Sequence, residues 1–264
     1  MKKQFYFLSG LPRSGSTVLA AILNQNPEVY VTPTSPMLDL LIENQNAWHK
    51  LPSVQANPFP EQLTNITKAM IGASWEHRPE SIVIDKNRGW GKNMPASEIL
   101  FGEEIKVIAT VRDLPSIMAS WLTVLHNNPN SYMKETLRQK GFPPTDDNMM
   151  AEMWFSMVRD CMEGVVQLKK DASNRLLLID YDNFVSNPND TLKSIESFLS
   201  LPMHNYDFDN IESLTEDDDL VAWGLSGMHK IRKKLEKTSK SPKEILGEEL
   251  YNRFIELEKE YIYR

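Results

Sequence analysis

Short apolar runs rich in β-favouring residues recur along the chain: FYFLS (5–9), VYVT (29–32), SIVID (81–85), KVIATV (106–111) and RLLLID (175–180). Each is followed by a stretch with helical spacing. That alternation specifies βαβ units, hence a mostly parallel central sheet of about five strands with helices on both faces, a three-layer α/β fold. The near-continuous apolar character of LLLI and VIATV fits strands buried on both sides. The first helix should begin around residues 14–16 and stop before Pro27, which disfavours helical geometry at Asn26. Pro115 after Asp113 opens another helix, and Ser241-Pro242 opens the last. Residues 149–170 read as one long amphipathic helix whose methionine stripe is core packing. The polar, Pro- and Gly-bearing stretch 127–147 reads as a lid or surface loop, and the acidic turn 215–220 and the basic run 229–237 as solvated faces.

Composition narrows the class. With 264 residues and 41% hydrophobic content the chain can bury a substantial core, and it is read as one domain spanning 1–264. A net charge of −7 opposes a nucleic-acid-binding surface, so any anion site must be local. The single cysteine, Cys161, rules out an internal disulfide and a cysteine-built metal cluster; in an apolar helical stretch it reads as a buried, inert thiol. The start, MKKQFYFLSG, has no signal-peptide pattern, and no apolar window approaches the ~20 residues of a membrane span. A soluble cytoplasmic protein is expected, with no transmembrane segment and no nucleic-acid partner; the oligomeric state is not legible.

The chemistry starts in FLSGLPRSGSTVLAAIL (7–23), a strand running through a glycine-bearing turn into a helix. Gly10, Gly15 and Thr17 fit the phosphate-loop template G-x-x-x-x-G-K-[ST], but Ser16 stands in the lysine position and Arg13 sits inside the loop. A helix N-terminus with unpaired N–H groups, the hydroxyls of Ser14, Ser16 and Thr17 and the charge of Arg13 would hold a terminal phosphate or sulfate. Arg112 at the end of a predicted strand, with Ser120 eight residues on, can converge on a second phosphate. Lys86 follows a third strand. Arg112 alone would suggest a structural ion pair, and Ser14 alone a helix cap; the combination favours a ligand with more than one anionic group. Trp90, Trp121 and Trp223 read as packing, although Trp90 lies near enough to Lys86 to line an acceptor pocket.

These motifs resemble those of sulfotransferases that use 3′-phosphoadenosine 5′-phosphosulfate (PAPS). LPRSGSTVL is similar to their 5′-phosphosulfate loop in its arginine-containing form, and VRDLPSIMASWL to their 3′-phosphate element. IDYDNFVSNPNDTLKSIESFLSLP (179–202) resembles the segment whose tyrosine approaches the adenine, and WGLSGMHKIRKKL the tail of bacterial members. The resemblance implies a P-loop NTPase-like fold, with Arg13 beside the bridging oxygen of the leaving phosphate and Lys86 on the sulfuryl group. Ser14, Gly15, Ser16 and Thr17 would hold the 5′-phosphate and Arg112 and Ser120 the 3′-phosphate. Tyr181 would lie near the adenine, and Arg232 near the cofactor with Lys233 or His229. No metal is implied.

The two positions where relatives carry a general base hold Thr34 and Arg88, neither an ordinary base at neutral pH. Asp39 is the expected substitute, ahead of Asp85 and His49. The acceptor would be a small-molecule, carbohydrate or peptide hydroxyl. Two other readings stay open: a divergent P-loop NTPase or small-molecule kinase, since SIVID and RLLLID each end in a magnesium-type aspartate, and a non-catalytic binder of PAPS or its bisphosphate product.

Overall fold

The computed structural model of the chain describes residues 3–102, 105–214, 219–237 and 240–261, apart from the side chains of 96 and 99. Five strands, β1 (Gln4–Gly10), β2 (Val29–Val31), β3 (Ile82–Lys86), β4 (Val107–Val111) and β5 (Leu176–Asp180), form a sheet in the order β2-β3-β1-β4-β5. Every pairing is parallel. Each predicted strand is present, and its limits differ from the expected ones by one residue at most. β1 lies in the middle, and the chain fills the sheet outward on both sides of it. Its C-terminal end is therefore a topological switch point, the place where open parallel sheets hold ligands.

The helices of the first half are α1 (Ser16–Leu23), α2 (Met37–Lys50), α3 (Pro52–Ala56), α4 (Pro60–Ser74), α5 (Met94–Phe101) and α6 (Leu114–Asn127). Those of the second half are α7 (Tyr132–Gln139), α8 (Asp146–Met153), α9 (Arg159–Asp171), α10 (Tyr181–Ser186), α11 (Pro188–Leu199), α12 (Asp219–Trp223) and α13 (Pro242–Glu258). Strand side chains alternate between the two faces, as the period of two requires. Leu8, Ile84 and Ile108 pack with Ile22 of α1 and Ile195 of α11. Phe7, Val107 and Ala109 point the other way, to Leu38 of α2, Met94 of α5, Leu168 of α9 and Trp90. A third cluster joins α6, α8, α9 and α13 through Trp121, Met150, Met162 and Phe254.

Capping explains where several helices begin. Asp113 accepts from the Ser116 N–H at 2.8 Å ahead of α6, and Ser241 and Glu244 form a reciprocal capping box at α13, which is interrupted at Gly247. The stretch read as one long helix is α8 and α9 joined by a π turn at Trp154–Val158. The extra residue of that turn shifts the helical register and leaves Phe155 exposed, while Met149, Met150, Met153 and Met162 stay buried as a core stripe. The stretch 127–147 is not all loop: it contains α7, docked by the buried Leu137. Trp223 is exposed rather than packed, whereas Trp90 and Trp121 are fully buried. Cys161 donates toward the Met157 carbonyl inside the helix, and burial raises its thiol pKa, which keeps it in the unreactive form. Among the described residues no helix is long and apolar enough to cross a membrane.

The end of β1 tolerates no side chain. Gly10 has φ 119°, and a Cβ there would lie 2.2 Å from the Thr110 carbonyl oxygen of β4. Gly10→Ala should therefore cost on the order of 3 kcal/mol, seen as a lower denaturant midpoint at unchanged m-value.

Candidate active site

The turn after β1 runs from Leu11 to Gly15 and then into α1. Arg13 and Gly15 take left-handed φ values of 60° and 89° on either side of Ser14. Left-handed residues alternating with ordinary ones turn successive N–H groups into a single concavity that suits an anion. For Arg13, a non-glycine residue, that conformation is strained, and such strain persists only where neighbours over-determine it. Here they do. Ser14 Oγ donates to the Leu11 carbonyl at 2.6 Å and lies 2.7 Å from Thr110 Oγ1 and 3.0 Å from the Thr110 carbonyl, buried against β4. Ser14 was expected among the phosphate donors; its hydroxyl is instead consumed inside the protein, fastening the loop to β4.

Gly15 is needed for closeness as well as for its φ. A Cβ on it would meet the Tyr181 ring at 2.6 Å. Tyr181 opens α10 directly after β5, where Asp180 caps the helix by accepting from the Asn183 N–H at 3.0 Å. The Arg112 guanidinium lies over the same ring, 4.3 Å from its centroid, and its Nη1 donates to the Arg13 carbonyl at 3.4 Å. Arg112 thus sits at the end of β4 as the pattern required, held between the phosphate loop and an aromatic face.

Arg13 crosses the cavity mouth. Its Nε donates to Ser120 Oγ of α6 at 3.0 Å, and its Nη1 to the Met228 carbonyl. Below it, 5.6 Å away, lies the ring of Trp121, whose Nε1 N–H is buried with no acceptor. Arg88 faces the same space, its backbone tied to β1 by the Ser9 hydroxyl at 2.9 Å. Burial, and then the nearby charges of Arg88 and Arg112, push the Arg13 guanidinium down to about 10. Three like charges around a half-buried space repel one another, and an anion bound among them would relieve that repulsion.

That space is a cavity of about 240 Å³, lined by Arg13, Gly15, Ser16, Thr17, Arg88, Arg112, Ser120 and Tyr181 and roofed by residues 228–232 and 234–236. The basic run 229–237 is therefore not simply a solvated face. Ile231 and Leu235 pack against the core, and the backbone pairs with residues 208–211: Ile211 N–H donates to the Lys233 carbonyl at 2.7 Å, and Leu235 N–H to the Phe208 carbonyl at 2.9 Å. Arg232 itself is more than half exposed and pairs with Glu236 at 3.4 Å. A larger cavity of about 860 Å³ adjoins the first and shares Thr17, His229, Lys230 and Ile231 with it. Another hollow of similar size, lined by Lys3, Glu76 and Arg78, lies by the N-terminal ends of β1 and β3, away from this chemistry.

Lys86 ends β3. Its N–H donates to Thr32 Oγ1 at 2.7 Å, and its Nζ lies 3.5 Å from Thr17 Oγ1, which brings it to the start of α1. Asp85 points to the opposite face: it is 2% exposed, accepts from Trp90 Nε1 at 2.8 Å and from the Ser35 hydroxyl, and desolvation raises its pKa against those hydrogen bonds. It anchors the loop after β3. Trp90 belongs to that anchor and not to a pocket wall. Asp39, expected as the base, is exposed in the first turn of α2, with Oδ2 3.3 Å from Asn87 Nδ2; it lines neither cavity. His49 is near the far end of α2, and its backbone carbonyl accepts from Gln55.

The acidic turn falls partly outside the described residues, at 215–218. Asp219, its next residue, is buried and grips His229 twice: the His229 N–H donates to Oδ2 at 2.7 Å, and Nδ1 lies 2.6 Å from Oδ1. In the sequence Asp219 reads as part of a solvated turn, and His229 only as an alternative to Lys233 beside Arg232 near the cofactor. Nothing local marks the pair, which stands ten positions apart across two glycines. Arg88 was weighed only as an empty base position, yet it supplies the third positive charge.

Comparison with known proteins gives the family and the fold. Residues 6–205 match the family model described as "Sulfotransferase family". A Caenorhabditis briggsae protein named "Putative protein-tyrosine sulfotransferase" is 19% identical over 229 residues, covering 83% of this chain and 75% of the relative. Among solved structures, the sulfotransferase domain from the curacin biosynthetic pathway superposes with a TM-score of 0.58 at 16% identity, covering 100% of this chain and 99% of that one. The sulfotransferase domain from the Synechococcus PCC 7002 olefin synthase gives 0.51 at 19% identity, covering 97% and 96%. At these identities the superpositions speak for the fold.

Ser14→Ala should lower the unfolding free energy by about 1–3 kcal/mol through its buried partners. Stabilisation by added pyrophosphate, followed by thermal unfolding, should persist in that variant and be lost in Arg13→Ala.

Proposed function

Because this chain belongs to the sulfotransferase family, we propose that it moves the sulfuryl group of PAPS to an acceptor hydroxyl and that the cavity at the end of β1 is its donor site. The carrying observation is the convergence of Arg13, Arg88 and Arg112 on one half-buried concavity that also offers the N-terminus of α1 and the Tyr181 ring. PAPS presents two separated anionic groups and a flat base, which matches that inventory. The family match decides against the nucleoside triphosphatase reading. The side chains agree: Asp85 has both oxygens committed to Ser35 and Trp90, and Asp180 caps α10, so neither is disposed as a magnesium ligand.

In this reading the loop N–H groups with Ser16 and Thr17 hold the 5′-phosphate, while Arg112 and Ser120 take the 3′-phosphate. Trp121 Nε1, a buried donor lacking an acceptor, stands beside Ser120 as a further partner. Tyr181 lies by the adenine, and Arg232 covers the nucleotide from the roof. Lys86 meets the sulfuryl oxygens. As the bond from sulfur to the bridging phosphate oxygen breaks, negative charge grows on that oxygen, and Arg13 supplies a preorganised positive partner. Binding also relieves the mutual repulsion of Arg13, Arg88 and Arg112, which supports tight holding of the donor.

Thermal unfolding with adenosine 3′,5′-bisphosphate, set against magnesium-ATP, tests the donor site. At 100 times its dissociation constant the bisphosphate should add about 2.7 kcal/mol, unaffected by chelator and largely absent in Arg112→Ala. Stabilisation by magnesium-ATP alone would sink the reading. Turnover of radiolabelled PAPS with a panel of phenols, sugars and tyrosyl peptides separates an enzyme from a non-catalytic binder. In the enzyme, Arg13→Ala should reduce turnover on the order of 10²-fold or more.

A further inference from the structure

The base that removes the acceptor proton is the part of the site left unassigned. Thr34 is exposed and carries only a hydroxyl, Arg88 is a cation, and Asp39 lines neither cavity. Where the two cavities meet, they share Thr17, His229, Lys230 and Ile231, and among these only the imidazole can take up a proton near neutral pH. His229 follows Met228, whose carbonyl holds the Arg13 guanidinium, so it is one residue from the group assigned to the leaving oxygen.

Its ring is also set for the task. Asp219 accepts from the backbone N–H of His229 at 2.7 Å with one oxygen and meets Nδ1 at 2.6 Å with the other. A carboxylate against Nδ1 places the proton of the neutral ring on that nitrogen, which leaves the basic lone pair on Nε2. The two-point grip fixes the ring plane, and Asp219 itself is buried, so the pair does not swing with solvent. A carboxylate clamping the far nitrogen of a histidine both orients it and stabilises the imidazolium that forms.

We propose that His229 is the general base of the reaction, with Asp219 as its positioning residue, and that the acceptor hydroxyl approaches it at the wall shared by the two cavities. The inference rests on the donor-site reading above. An acceptor oxygen forms its bond to sulfur with a lone pair, and its proton passes to His229 Nε2. The bond between sulfur and the bridging oxygen of PAPS breaks, with its electron pair going to that oxygen beside Arg13.

A base matters in proportion to how tightly the acceptor holds its proton, which a merely structural residue does not sense. Sulfuryl transfer from radiolabelled PAPS should be followed for wild type, His229→Gln and Asp219→Asn with p-nitrophenol, phenol and benzyl alcohol, and with water as the acceptor always present. His229→Gln should lose on the order of 10²-fold or more with the alcohol and with water, but less than about 10-fold with p-nitrophenol, which ionises unaided. Asp219→Asn should show the same ordering with smaller losses. Bisphosphate stabilisation should persist in both, and 4-methylimidazole should restore alcohol transfer in His229→Gly. Equal losses with every acceptor, unchanged rates, or no chemical rescue would each overturn the assignment. If the wild type itself fails to bind the bisphosphate, the donor-site reading falls and this inference falls with it.

Discussion

The site is registered to the point where the phosphate loop leaves β1 and is fastened to β4. Gly10 lets β1 approach the Thr110 backbone more closely than any side chain would allow, and the Ser14 hydroxyl then closes onto the same residue. With that contact made, the strained turn at Arg13 follows, and so does the seating of Gly15 beneath Tyr181. The three strands whose ends carry Arg13, Lys86 and Arg112 are adjacent in the sheet. Their spacing of roughly 5 Å per strand sets the distances between the charges, so the register of the sheet becomes the geometry of the cradle.

Electrostatics gives the cradle its direction. Arg13, Arg88 and Arg112 are gathered where solvent is partly excluded, and the basicity of Arg13 is depressed first by that burial and then by the two neighbouring charges. A protein with a net charge of −7 has created a cationic site by concentrating a few groups rather than by covering its surface. Aromatic faces make that crowding tolerable: Arg112 over Tyr181 and Arg13 over Trp121 exchange hydration for ring contact. Asp219 contributes from the opposite side, attracting Arg13 while holding His229.

What was legible in the sequence is what local pattern dictates. β1 to β5 were each marked by an apolar run, and the turn at residues 10–17 by its glycines, because strand burial and left-handed backbone leave their imprint within a few positions. The placement of Arg112 at the end of β4 and of Ser120 on α6, where both line one cavity, was legible for a related reason, since a strand end and two helical turns separate them. Ser14 was misread because a hydroxyl has no sequence mark that distinguishes a ligand donor from an internal clasp. The π turn at Trp154–Val158 and the docking of residues 229–235 against 208–211 arise from tertiary packing, and the Asp219–His229 grip depends on how that packing folds an irregular segment back on itself. No periodicity carries such information.

The roof over the cradle has a consequence for the order in which the protein is made. Met228 and the residues after it contact a loop formed more than two hundred positions earlier, so during translation the cradle has its floor and walls long before its cover. A chain made only as far as β5 carries Arg13, Arg88 and Arg112 but not yet the Met228 carbonyl that holds Arg13. The emergence of the segment after α11 is then the event that converts an open cationic surface into a selective site.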